Sequence, residues 1–151
     1  MTDEDAKARA RADLYARFNQ RGLEQGEALQ GEYFLRTVQL LDDLDSEWTE
    51  AWLTFVYDYV YGRGVLDDRT RTLIVVGVCI AGGHFEQLPN HMSTAIKLGA
   101  DPREVLEVCL QSAIYCGMPS MRKAVNVFRA TMTELGLQTF DEPPFGYTAD
   151  T

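Results

Sequence analysis

Residues 82–116 read GGHFEQLPNHMSTAIKLGADPREVLEVCLQSAIYC. Two amphipathic runs flank the turn Gly99-Ala100-Asp101-Pro102, and both have the length and period of helices rather than strands. In the second run Val105, Leu106, Cys109, Leu110, Ala113 and Ile114 fall on one stripe. Asp101 before Pro102 reads as an N-cap followed by proline at the first helical position, where its missing N–H costs nothing. The first run, bracketed by Gly82-Gly83 and Gly99, holds His84 and His91, the only two histidines among 151 residues. Histidine is the side chain whose ordinary pKa lies nearest neutrality, so proton chemistry at pH 7 is most economically placed here.

The rest of the chain also reads as helices. Just upstream, 68–81 contains TLIVVGVCIA, apolar nearly all round, which predicts a helix at the centre of the core. Before it, Trp48, Trp52, Phe55, Val56, Tyr59 and Val60 recur at i, i+3, i+4 spacing until Gly62 and Gly64 stop the run. At the front, Thr2 caps a helix opening with Asp3, Glu4 and Asp5, whose stripe of Leu14, Tyr15 and Phe18 ends near Gly22. A second short run is expected over 27–41. Downstream, Gly117-Met118-Pro119 restarts the chain for a last helix over 119–135. The tail, with Pro143, Pro144 and Gly146, reads as irregular. The predicted class is all-α, organised as an extension over 1–47, a core over 48–136 and a tail over 137–151.

Composition narrows the function. The formal net charge is −9, which argues against nucleic acid or an anionic membrane as partner. The acidity sits mainly in residues 21–50, away from the histidines, and reads as a solvated face. Cys79, Cys109 and Cys116 are odd in number and form no C-x-x-C, which fits a reducing cytoplasm rather than a disulfide framework. The opening MTDEDAKARARADLYARF lacks the apolar stretch of a signal peptide. No apolar run approaches the roughly 18 residues of a membrane span. The expectation is a soluble, cytoplasmic protein.

Three segments in order carry a resemblance: LDDRTRTLIVV at 66–76, H-x-x-x-A-x-x-x-G-A at 91–100, and PREVLEVCLQSAIYCGMPS at 102–120. Together they resemble the carboxymuconolactone decarboxylase family, within the alkylhydroperoxidase D-like superfamily, over about 48–135. The resemblance implies an AhpD-like helical bundle that assembles with itself into a ring-like homotrimer or homohexamer, with pockets near subunit contacts. It also sorts the chemistry. The peroxidase-linked branch uses C-x-x-C-x-x-x-H; aligned on His91, those cysteine positions are His84 and Gln87, which excludes thiol reduction. The decarboxylase branch carries acids just upstream of the histidine, where this chain has Gln87 at four residues before His91, and Glu86 beside it.

Helical geometry places these residues. Pro89 clashes in a helix interior but not in a first turn, so the helix is expected to begin near Glu86, with His84 and Phe85 in the entering loop. A helix N-terminus beside His84 suits a carboxylate or enolate. The candidate catalytic residues are therefore His91, His84 and Glu86, with Glu86 otherwise a first-turn acid complementing the helix dipole. Gln87, Arg71, Tyr115 and Trp52 are candidate substrate contacts. Arg71 has the alternative of an ion pair with Asp67 or Asp68, and Tyr115 that of packing against Trp52. Two histidines and a carboxylate lack a third firm ligand, so neither metal nor cofactor is expected.

The reaction implied is a cofactor-independent decarboxylation of a small carboxylated lactone, enol or polyketide-derived ring. A biosynthetic isomerase or cyclase would use the same parts, and a non-catalytic oligomeric ligand-binding protein is the rival from another class.

Overall fold

The computed structural model describes residues 2–137, and among them it shows helices and turns with no strand. The described chain divides into two compact units between Asp68 and Arg69. The expected irregular tail, past Leu137, lies outside the described residues. Among the described residues no helix is long and apolar enough to cross a membrane.

In the first unit, α1 (Asp3–Arg17) opens on a capping box in which the Thr2 hydroxyl accepts from the Asp5 N–H and the Asp5 carboxylate from the Thr2 N–H. The apolar stripe ends at Arg17 and not near Gly22, because Asn19 starts a new helix, α2 (Gln20–Gln30), by accepting the Gly22 N–H at 3.0 Å. The short run expected over 27–41 is likewise broken. Gly31, at φ 60°, separates α2 from α3 (Glu32–Asp42). Asp45 caps α4 (Ser46–Leu53), which passes into a π-helical segment, Thr54–Val60, and a 3₁₀ turn, Tyr61–Arg63, that ends at Gly64. Aromatic rings fill this unit. Phe34 meets Tyr57 edge-on at 4.6 Å, and Trp52 lies 5.3 Å from Tyr57 and 6.2 Å from Trp48.

The second unit consists of α5 (Asp68–Gly82, whose first residue closes the preceding unit), α6 (Leu88–Lys97) and α7 (Pro102–Glu134). Asp101 caps α7 as the sequence predicts, accepting the Arg103 N–H at 2.7 Å, while Glu104 accepts the Asp101 N–H at 2.8 Å. The restart at Gly117-Met118-Pro119 is present as a break within α7. Gly117 adopts φ 80° and ψ 160°, a conformation open essentially to glycine alone. It lets the chain absorb Pro119, which cannot donate to a helical ladder.

Val76, Cys79 and Ile80 of α5, Leu88 and Met92 of α6, and Val105, Cys109, Phe128 and Met132 of α7 form one buried cluster. One expectation is corrected here. α5 is not buried all round: Ile74 and Val78, one turn apart, are exposed. The apolar stripe of α7 is also only partly covered, for Val105 and Cys109 are buried while Leu110 and Ile114 are exposed. The sequence records that both faces are apolar; the fold of one chain covers only one of them.

Candidate active site

α5 ends in a Schellman motif. Gly83, at φ 76°, donates to the Ile80 carbonyl at 3.2 Å, and His84 donates to the Cys79 carbonyl at 2.8 Å. The residue after the glycine in this motif usually makes an apolar contact with the helix it closes. Here it is an exposed histidine. The His84 imidazole folds back over Gly82, where an added Cβ would stand 2.7 Å from both Cδ2 and Nε2. The absence of a side chain at 82 makes the room for the ring.

The loop then continues as two tight turns, with Gln87 N–H to the His84 carbonyl at 3.2 Å and Leu88 N–H to the Phe85 carbonyl at 3.3 Å. α6 starts at Leu88, two residues later than expected, because these turns hold Glu86 and Gln87 in the loop. Gln87 occupies the N-cap position but its side chain makes no capping bond, which leaves the exposed carboxamide for other partners. Pro89 sits in the first turn, as anticipated. The Gln87 carbonyl in turn accepts the His91 N–H at 3.3 Å. Two successive backbone hydrogen bonds therefore tie His84, Gln87 and His91 together.

His91 is half-buried, and burial holds its pKa below the ordinary histidine value. Its imidazole is accordingly neutral at pH 7, an N–H donor and lone-pair acceptor without charge. Glu86 is exposed at the loop surface, and its charge reaches Cys79, whose thiol is pushed up by burial first and by Glu86 second. Burial alone raises Cys109 to about 12. Both thiols are thus protonated at neutral pH, and neither is an activated nucleophile.

The other expected contacts stand on other elements. Arg71 is half-buried near the start of α5, and the eleven residues to Gly82 span about 16 Å of helix axis. Tyr115 is 86% exposed; it lines an open apolar groove of about 650 Å³ between α5 and α7, with Leu73, Ile74, Gly77 and Val108. Trp52 belongs to the aromatic cluster of the first unit. Among the described residues no three His, Cys, Asp or Glu side chains converge to hold a metal ion. Sequence reasoning placed Gly82 and Phe85 at this loop but not the room that Gly82 leaves for the His84 ring. It also missed Lys123, whose Nζ lies 5.4 Å from the Phe85 ring centroid and which no local pattern connects to residue 85.

The sequence pattern of the carboxymuconolactone decarboxylase family matches residues 46–130, more than half the chain. The protein belongs to that family. The match includes the histidine loop, all of α6 and most of α7, and it leaves out α1 to α3. Similar family members include the 4-carboxymuconolactone decarboxylase of Acinetobacter baylyi, 26% identical over 117 residues that cover 77% of this chain and 87% of that protein. The nitrosuccinic acid decarboxylase of Metarhizium robertsii is 33% identical over 93 residues, covering 62% of this chain and 60% of the relative. An uncharacterised 15.0 kDa protein of Paracoccus denitrificans is 28% identical over 127 residues, covering 80% of this chain and 92% of its own.

Proposed function

We infer that this protein is a cofactor-independent decarboxylase acting on a small carboxylated lactone, enol or related ring. The observation that carries the reading is the linked set of His84, Gln87 and His91 at the start of α6, with His91 half-buried and neutral. Loss of carbon dioxide breaks one carbon–carbon bond and leaves its electron pair on the substrate. The rate then depends on a site that receives that pair. A neutral imidazole N–H at His91 and the Gln87 carboxamide offer hydrogen bonds to the developing oxyanion, beside the positive end of α6. Neither carries a full charge that would hold the reacting carboxylate in its ground state. In this reading His84, on the exposed loop, returns a proton to carbon, and Glu86 exchanges protons with it. Two relatives named as decarboxylases support the chemistry, for a lactone and a nitro group are both electron sinks.

The same second unit supports self-association into the ring-like homotrimer or homohexamer. Ile74, Val78, Ile114, Tyr115 and Met118 are exposed along α5 and α7, and residues of both helices line one groove. Large apolar residues exposed along two helices that share an apolar groove are a feature of interfaces. Gln87 in place of an acid supports a second reading, an isomerase or cyclase that stabilises an enolate without expelling carbon dioxide.

Turnover of 4-carboxymuconolactone, followed by ultraviolet absorbance and released carbon dioxide, tests the first reading. Wild type is expected to turn it over, and His91→Ala to lose about 10²- to 10⁴-fold in kcat. A folded wild type that leaves the lactone untouched rules out the namesake reaction and favours the isomerase.

A further inference from the structure

The residues around α6 account for the electron pair but for no fixed charge on the substrate. The cations of the second unit differ in what they face. Arg69 is taken up by Glu104. Lys123, exposed in the second half of α7, instead lies over Phe85, the residue between His84 and Glu86. Phe85 is half-buried and packs against the core, so the loop offers the ammonium a fixed platform. Among the described residues no carboxylate lies within ion-pair distance of Lys123. A cation over an aromatic face is positioned without being neutralised, and its N–H donors stay available to an anion.

We propose that Lys123 is the specificity-determining cation of this site and holds a carboxylate that the substrate keeps through the reaction. The inference rests on the decarboxylase reading. The departing carboxylate is the wrong partner, because it loses its charge as the carbon–carbon bond breaks. A cation fixed on it would stabilise the ground state more than the transition state and slow the step. A retained carboxylate carries the same charge before and after, so lysine binds substrate and transition state alike. That is uniform binding, which is read in KM rather than kcat. The preferred substrate therefore carries two acidic groups and loses one.

The test compares wild type, Lys123→Gln and Lys123→Arg in two assays. In turnover of 4-carboxymuconolactone, Lys123→Gln is expected to raise KM about 10- to 100-fold while kcat stays within about threefold, and Lys123→Arg to recover most of the loss. In ligand-observed NMR, wild type is expected to bind succinate in preference to its uncharged dimethyl ester, and Lys123→Gln to lose that preference. A wild type without the preference, a Lys123→Gln variant that keeps it, or a loss confined to kcat overturns the proposal. If wild type releases no carbon dioxide yet its succinate preference disappears in Lys123→Gln, the decarboxylase reading fails and the carboxylate site stands.

Discussion

The turns that close α5 and α6 share a backbone and differ in one side chain. Gly83 and Gly99 both take positive φ, 76° and 89°, and each is followed by a residue whose N–H reaches back five positions to a carbonyl. After Gly99 that residue is Ala100, buried against the core; after Gly83 it is His84, exposed. The turn closing α7 repeats the first solution, with Leu137 after Gly136 packed against the same core. Stability asks for an apolar residue at this position. A histidine in the one turn that leads into α6 gives up that contact, and the gain is an exposed imidazole in the loop ahead of that helix.

Exchanging the two residues sharpens the contrast most. Ala100→His would bury a polar ring in a packed site and is expected to cost about 3 kcal/mol by chemical denaturation. His84→Ala should change stability by no more than about 0.5 kcal/mol while lowering turnover. Equal losses of stability from both would show His84 to be structural and break the comparison. A smaller effect is expected at Gly82, which makes room for the imidazole. Gly82→Ala adds a better helix former at a position with ordinary φ, so stability should hold or rise by about 0.5–1 kcal/mol. The ring must move from over Cβ, and kcat should fall about tenfold. Unchanged kcat would show that the observed ring position is not the working one.

The smallest effect is a pH dependence. Burial depresses the pKa of His91 in the folded state. Below the ordinary value of about 6.5 the unfolded chain takes up a proton that the folded chain refuses, so stability is lost as pH falls from there toward the depressed value. The slope is at most about 1.4 kcal/mol per pH unit for one proton, and His91→Gln should abolish it. The depressed carboxylates Glu27, Glu32 and Glu104 act only at lower pH, below their unfolded value near 4.5, so the two windows separate. A wild-type slope between pH 7 and 5 no steeper than that of the variant would place His91 in water.

Much of the second unit was legible because its punctuation is local. Gly82-Gly83, Gly99, Asp101-Pro102 and Gly117 each act on the backbone within a turn of themselves, and all stand where expected. The break at Gly31 was missed because the residues on either side continue an amphipathic pattern that a glycine alone does not cancel. The start of α6 was placed two residues early, since the turns that delay it depend on where the His84 and Phe85 carbonyls point. Of the candidate site, the histidines stood out as the only two in the chain, and Gln87 through the family resemblance. Lys123 did not, because its meeting with Phe85 is made by two helices and a bend 38 residues along the chain. Periodicity also marked Ile74, Val78 and Ile114 as apolar without saying that this chain alone leaves them uncovered.

The bend at Gly117 makes the rear half of α7 a lever arm with a single pivot. Lys123 lies six residues beyond it, about 9 Å along the axis, and Glu134 seventeen residues beyond, about 26 Å. A 10° error at the pivot would carry Lys123 roughly 1.6 Å from its station over Phe85 and Glu134 roughly 4.5 Å. The alignment of a charge on α7 with the loop ahead of α6 is thus calibrated by one residue six positions before that charge.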